Sequence, residues 1–232
     1  MSLVKVPLLV CGTVAGYVTM TPPNSKVPVG QTAKDVSTFE RFFLCNDALI
    51  VSGGILETLV IVASRFPEHP LSQKILDALN AGSPSLVRRI TLSPLFLAGI
   101  VTGLFGGYFR WQCYRTLGRL FTFELSIREG HKLITEGPYS IVRHPSYTGS
   151  ILCSWGLGLA YIAPGSWLRE CGILATRGGR IAAWAYVAAL LYGTPSLFLR
   201  ARQEDTLLRK QFAEEWEAYA KRVPYRIIPY LY

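Results

Sequence analysis

The stretch GPYSIVRHPSYTGSILCSWGLGLAYIA, Gly137 to Ala163, sets an Arg-His-Pro step directly against a run of apolar and small residues. From Tyr147 to Ala163 there is no charged side chain. A run of this kind reads as a membrane helix, because about 20 predominantly apolar residues are needed to cross the hydrocarbon. Four further runs read the same way: Ser2–Met20, Phe42–Ala63, Thr91–Phe109 and Ile181–Leu199. Charged residues make up only 17% of the 232 positions, against about 25% in an average soluble domain. The sequence therefore predicts an all-α, polytopic membrane protein with about five transmembrane helices. It forms a single integral-membrane domain over 1–232, with N-terminal spans in 1–100 and a core in 105–230. The first run is read as a retained helix, since Lys5 is a thin basic region and GYVTMTPP a poor cleavage site for a signal peptide.

The net charge of +9 would suit nucleic acid, but the basic residues lie in loops between spans, so a membrane surface is the better reading. Segments 21–41, 110–146 and 200–232, which five spans place on one side, hold 16 Lys and Arg; segments 1–20, 64–90 and 164–180 hold 8. The positive-inside rule makes the richer side cytosolic. Five scattered cysteines, with no C-x-x-C, argue against a disulfide framework and a zinc site. Segment 64–90 reads as a connector around a short amphipathic piece.

Small residues recur at Gly99, Gly103 and Gly107, and at Ala182, Ala185, Ala189 and Gly193. Both stripes are read as close helix packing. Asp47 and Glu57 are ionisable residues within a span, and Glu57, the deeper, needs a partner. Leu208, Phe212, Trp216, Tyr219 and Val223 are spaced as one face of a helix that ends before Pro224.

Two polar clusters stand apart from this scaffold. One, EGHKLITEGPYSIVRHPSY, precedes the fourth span, and the other, LRARQEDTLLRKQF, follows the fifth. Two passes separate them, so both lie on one side, as a shared site requires. Pro145 suits the first position of a helix with His144 as its cap, and the free amides of that turn favour an anion. Arg200 and Glu204 are four apart on one helix face. An arginine there suits a carboxylate, and a glutamate accepts from hydroxyls or an amine.

Together these clusters resemble the isoprenylcysteine carboxyl methyltransferases and their phospholipid methyltransferase relatives. GPYSIVRHPSYTG is similar to their R-H-P-x-Y-x-G signature. RQEDTLLRKQFAEEWEAYAKRVPYRIIP is similar to their acidic pair and the aromatic tail that follows it. The likeness covers roughly residues 105–230. Ala213 stands where the family carries Gly, Trp216 where it usually has Tyr, and Asp205 where its second acid is usually Glu.

The resemblance implies an endoplasmic-reticulum membrane enzyme that takes a methyl group from S-adenosylmethionine at the cytosolic mouth of the helices. The acceptor would be the C-terminal carboxylate of a prenylated cysteine. The implied cofactor contacts are His131, Lys132, Leu133, Ile134, Tyr139, His144, Pro145, Ser146, Tyr147 and Glu204, with Glu124 a further one. Arg200 is implied on the acceptor side. The resemblance brings in no metal and no nucleic acid.

The chemistry is coherent. A C-terminal carboxylate is ionised at neutral pH and needs no general base, so alignment and water exclusion are the main demands. The alternative is a phosphatidylethanolamine-type N-methyltransferase, whose amine must lose a proton before it attacks. No base is better placed to take that proton than Glu204, which the cofactor would occupy. A non-enzymatic membrane adaptor would leave both polar clusters without a purpose.

Overall fold

A computed structural model describes residues 3–24, 36–121 and 132–232, with the backbone alone for 36–45 and 47. The described residues are helical, with no strand among them. The helices are α1 (Lys5–Met20), α2 (Val36–Ala63), α3 (Pro70–Leu79), α4 (Pro94–Leu117), α5 (Pro145–Ile162), α6 (Trp167–Glu170) and α7 (Arg177–Arg222). The expected runs correspond to α1, α2, α4, α5 and α7. Segment 64–90 is a connector, as expected, and carries α3, which His69 caps by accepting from the Leu71 amide.

Several helix starts have a local cause. Ser93 accepts from the Phe96 amide and Pro94 takes the first position of α4, where its missing N–H leaves nothing unpaired. Thr176 caps α7 through the Gly179 amide at 3.0 Å. Pro145 opens α5 behind His144, as the sequence predicts.

The tightest seam joins α4 to α5. A Cβ on Gly99 would sit 2.7 Å from the Gly156 carbonyl oxygen, and one on Gly149 2.8 Å from that of Gly106. Only glycine allows backbones this close, and the reward is dispersion contact along both helices. The expected Gly99–Gly103–Gly107 stripe divides. Gly99, Gly103 and the unforeseen Gly106 face α5, whereas Gly107 faces Ala15 of α1. The helix rotation of 3.6 residues per turn carries the fourth position off the seam.

The far end of the bundle is tied by an ion pair. Lys5 Nζ lies 2.6 Å from the Glu57 carboxylate, and both residues are 1% exposed. The same ammonium donates to the carbonyls of Thr91 and Gly165 at 3.2 and 2.7 Å and sits over the Phe96 ring at 4.2 Å. One side chain thus holds the start of α1, the end of α2, the start of α4 and the end of α5. Glu57 has the partner its depth requires.

By length and composition, α7 and the Pro145–Glu170 stretch can each cross a membrane, and α1 and Ala48–Ala63 are shorter apolar helices. Val14, Val101, Ile181, Trp184 and Leu191 point outward and are more than half exposed.

One expectation is corrected. The tail face from Leu208 to Val223 does not lie on a single continuous helix. Ala213 adopts φ 42°, ψ −108°, and breaks α7 there. Trp216, Tyr219 and Val223 are still buried beyond the break. A positive φ is disfavoured for any residue with a Cβ, which explains why glycine would suit this position.

Candidate functional site

At the end of the bundle opposite Lys5, the start of α5 meets the middle of α7. The link is an ion cluster centred on His144. Its backbone N–H donates to the Arg226 carbonyl at 2.7 Å, and that of Arg143 to the Tyr225 carbonyl at 2.9 Å. The Arg-His step is therefore strapped to the segment after α7, and Thr148 extends the strap by donating to the Ile227 carbonyl at 2.6 Å.

The His144 ring lies between two carboxylates. Nδ1 is 3.1 Å from Glu204 and Nε2 is 2.9 Å from Asp205. Acceptors on both nitrogens require both to carry protons, so the ring is an imidazolium. Burial pushes its pKa down, but the hydrogen bonds and charges of Asp205 and Glu204 prevail and hold it above the ordinary 6.5.

Glu204 has more partners. The Tyr147 hydroxyl donates to it, and Arg200 Nε reaches both the Tyr147 hydroxyl at 3.0 Å and the carboxylate at 3.2 Å. Burial would raise the Glu204 pKa, yet His144 and then Arg200 hold it down at about 2. Glu204 keeps 26% of its side chain exposed, while Arg200, His144 and Asp205 are buried. It is the one carboxylate of the cluster within reach of a solute.

Asp205 carries the structural load. Arg143 meets it through Nε and Nη2, at 3.3 and 3.0 Å, and Arg226 Nε at 2.8 Å. Burial opposes its ionisation, and His144, Arg143 and Arg226 overcome that, so its pKa lies well below the usual carboxylate range.

Of the residues singled out in the sequence, His144, Tyr147, Arg200 and Glu204 converge. Pro145 opens the helix beside them. Ser146 is engaged elsewhere, its hydroxyl and carbonyl both accepting from the buried Arg110 guanidinium at 2.7 and 2.9 Å. Tyr139 is buried, and its carbonyl accepts from the Tyr219 hydroxyl. Lys132 is exposed and has no ion pair among the described residues; Leu133 and Ile134 are half-buried in the segment before Gly137. Glu124 and His131 lie outside the described residues.

Sequence reasoning missed the supporting roles of Arg143, Arg226 and Arg110. The first was visible as a cation in the same motif as His144. The second lies in the tail after Pro224, where no periodicity pointed to it.

From this cluster an apolar seam runs between α5 and α7. First comes a small cavity of about 30 Å³, lined by Ser150, Ser154, Asn46, Gly193 and Leu197 among others. The Ser150 hydroxyl and the Asn46 carbonyl oxygen are buried without a hydrogen-bond partner. Beyond it, a larger cavity of about 430 Å³ opens between α2, α5 and α7. Trp155 and Leu190 line both cavities.

Residues 99–176 match the family model described as the isoprenylcysteine carboxyl methyltransferase family. The match takes in the Arg143–Tyr147 step and ends before Arg200. The chain is 30% identical over 128 residues to protein-S-isoprenylcysteine O-methyltransferase B of Arabidopsis thaliana, covering 54% of this chain and 55% of that protein. It is likewise 30% identical over 127 residues to a probable protein-S-isoprenylcysteine O-methyltransferase of Oryza sativa subsp. indica, covering 54% and 56%. A Delta(14)-sterol reductase of Mus musculus is 33% identical over 103 residues, covering 44% of this chain and 20% of that protein. The chain thus spans about half the length of the methyltransferases it matches and a fifth of that reductase. The likeness carried by the Arg-His-Pro motif holds on this independent ground, and residues 99–176 fit the isoprenylcysteine carboxyl methyltransferase family.

Proposed function

We propose that this chain is a protein-S-isoprenylcysteine O-methyltransferase, which moves a methyl group from S-adenosylmethionine to the C-terminal carboxylate of a prenylated cysteine. One observation carries the choice of acceptor: the ion cluster offers no free base. His144 holds protons on both nitrogens, and Glu204 and Asp205 are ionised at pKa values far below neutrality. Such a cluster serves an acceptor that is already an anion. A phospholipid amine would first have to lose a proton, which weighs against the phosphatidylethanolamine-type alternative. The sterol reductases match over a fifth to a third of their length, and their reaction needs a hydride in place of a methyl group. The fuller coverage of the methyltransferases favours methyl transfer.

The residues fit the donor. Its ribose hydroxyls and ammonium need a carboxylate acceptor, which Glu204 supplies with its exposed edge, and its carboxylate needs cations, which the cluster has in excess. When bound, S-adenosylmethionine supplies the methyl group as an electrophile. Tyr147 and His144 hold Glu204 in place. Arg200 stands at the mouth of the apolar seam and orients the acceptor carboxylate, while the seam admits the prenyl chain and keeps water out. The exposed apolar side chains on α1, α2, α4, α5 and α7 support five membrane passes; the Lys and Arg bias of the loops supports a cytosolic side for the cluster, and the endoplasmic-reticulum membrane rests on the family resemblance.

The test is methyl transfer from labelled S-adenosylmethionine to N-acetyl-farnesylcysteine, beside a phosphatidylethanolamine control. Arg200→Lys then separates acceptor from donor. A lysine does not reproduce the planar fork, so turnover of farnesylcysteine should drop strongly while cofactor affinity changes little. A variant with unimpaired turnover, or equal loss of both, would reject Arg200 as the carboxylate clamp.

A further inference from the structure

Residues 223–232, which follow α7, close into a loop with a fixed tip. The Tyr232 carbonyl oxygen accepts from the amides of Arg226, Ile227 and Ile228, each at 2.9 Å. The Ile228 carbonyl accepts in return from the amides of Leu231 and Tyr232, at 3.2 and 3.0 Å. Tyr230 takes the bend at φ 65°, and its ring leans on that of Tyr225 with centroids 5.3 Å apart. The tip held in this way is apolar. Tyr230 is 88% exposed and Leu231 78%, more than Trp184 and Ile181 on the outer face of α7. Apolar side chains fixed in the open, with polar groups around them, mark a surface that something covers.

Three contacts set the height of this loop. Thr148, in the first turn of α5, donates to the Ile227 carbonyl. The Phe198 ring meets that of Tyr232 with centroids 5.1 Å apart, and Arg202 Nε donates to the Tyr232 hydroxyl at 2.8 Å. Thr148 and Phe198 stand at the ends of the apolar runs Tyr147–Ala163 and Ile181–Leu199, so the loop sits where α5 and α7 leave the apolar layer. Leu199, next to Phe198, is more than half exposed, so the outward apolar side chains of α7 continue to that level. The charge nearby in the chain has one sign: residues 219–232 hold Lys221, Arg222 and Arg226 and no acid. Tyrosines with cations beside them suit the headgroup level of a leaflet that contains anionic lipid.

We infer that residues 225–232 form a membrane-interface anchor, whose tip, Tyr230 and Leu231, seats in the headgroup layer of the leaflet that α5 and α7 leave. The inference rests on α5 and α7 crossing the membrane, as proposed above. The anchor also has a hold on the ion cluster. The Tyr225 and Arg226 carbonyls accept from the amides of Arg143 and His144, and Arg226 Nε donates to Asp205 at 2.8 Å. A tip seated in lipid keeps this strap on the start of α5, and a tip driven out of the lipid loosens it.

The experiment places the photoreactive residue p-benzoylphenylalanine at Leu231, at Leu191 within the α7 run, or at Glu215, an exposed position past the break in α7. The full chain is irradiated in nanodiscs, and lipid adducts are read by mass spectrometry. Leu231 and Leu191 should give adducts and Glu215 none, and phosphatidylserine added to a phosphatidylcholine bilayer should raise the yield at Leu231 alone. Tyr230→Asp combined with Leu231→Asp should weaken S-adenosylhomocysteine binding in nanodiscs about fivefold or more, the low end of coupling between sites. Tyr230→Phe combined with Leu231→Met should bind as the original chain does. Adducts at Leu191 without any at Leu231 would overturn the anchor, as would adducts at Leu231 to a second copy of the chain in place of lipid. A yield that phosphatidylserine leaves unchanged would overturn the part given to the cations, and unchanged affinity in the double Asp variant the hold on the cluster. No adduct at Leu191 would overturn the membrane passes and the anchor with them. An unaltered chain that binds no S-adenosylhomocysteine would overturn the cofactor reading, while the adducts at Leu231 still decide the anchor.

Discussion

Removing either partner of the Lys5–Glu57 pair should destabilise the protein, with opposite pH dependence for the two single variants. Both groups are 1% exposed, so neither recovers water when its partner goes. A buried pair broken on one side costs about 3 to 5 kcal/mol. The surviving group has an escape, which is to neutralise. For Glu57 left alone in Lys5→Met, protonation from a reference pKa near 4.3 costs about 3.7 kcal/mol at pH 7 and about 1 at pH 5. For Lys5 left alone in Glu57→Leu, deprotonation from near 10.4 costs about 4.6 kcal/mol at pH 7 and about 2 at pH 9. The carbonyls of Thr91 and Gly165 and the Phe96 ring still face that ammonium, which lowers its cost below the ceiling. Lys5→Met should therefore recover stability as pH falls, and Glu57→Leu as pH rises. The double variant Lys5→Met/Glu57→Leu leaves no buried charge and should lie within about 1 kcal/mol of the original chain. Thermal unfolding in detergent from pH 5 to 9 reads this out, since each kcal/mol moves Tm by about 2 to 4 °C for a chain of this size. Two single variants with the same pH slope, or a double variant whose loss is the sum of the singles, would refute the reasoning.

The ion cluster gives further outcomes. Glu204→Ala should weaken S-adenosylhomocysteine binding by about 1.5 to 3 kcal/mol through lost charge-assisted hydrogen bonds; an unchanged dissociation constant by calorimetry would reject Glu204 as a cofactor contact. The depressed pKa of Glu204 adds stability that is present above its usual 4.5 and lost as pH falls toward 2. The raised pKa of His144 adds stability that is present below 6.5 and lost as pH rises through its folded value. A His144→Asn variant should lose the second dependence, so its Tm would fall less than that of the original chain between pH 6.5 and 9; parallel profiles would contradict an imidazolium. Ala213→Gly should stabilise by about 1 kcal/mol, the relief of a positive φ less the added chain entropy, and a drop in Tm would show that φ there carries no strain. Single cysteines placed at Glu136 and Arg177 should label from opposite sides of sealed vesicles, and labelling from one side at both positions would refute five passes.

How the sequence foretold the site is instructive at two positions. Glu204 and His144 were legible because a helix offset of four and a Pro at the first position are local rules, and parity of the spans put them on one side. Their mutual contact is a long-range fact, fixed by the straps from Tyr225, Arg226 and Ile227 onto the start of α5. Nothing local announces those straps. Asp205 illustrates the same limit: it was visible only as a neighbour of Glu204, yet the two adjacent carboxylates divide the work. Helix rotation of about 100° turns one side chain toward Arg143 and Arg226 and the other toward the open edge. The tail face was misread for the opposite reason: five correctly spaced side chains hide a backbone break, because spacing reports side-chain type and says nothing of φ.

Small residues expose a deeper ambiguity. The glycines of α4 and the alanines of α7 gave the same reading, close packing, and only the first stripe fits it throughout. On α7, Ala189 and Gly193 are buried against the bundle, while Ala182 and Ala183 line the large cavity. A small side chain leaves space, and what fills the space depends on the partner helix. Opposite α4, Gly149 and Gly156 let the backbones meet. Opposite α7 stand Trp155, Tyr161 and Trp167, and the Tyr186 hydroxyl reaches across to the Ser154 carbonyl. These rings stand between the helices, so a stripe of small residues closes the α4–α5 seam and leaves space in the α5–α7 seam. If a prenyl chain occupies that opening, the small residues of α7 belong to acceptor recognition, and enlarging them should cost turnover before it costs stability.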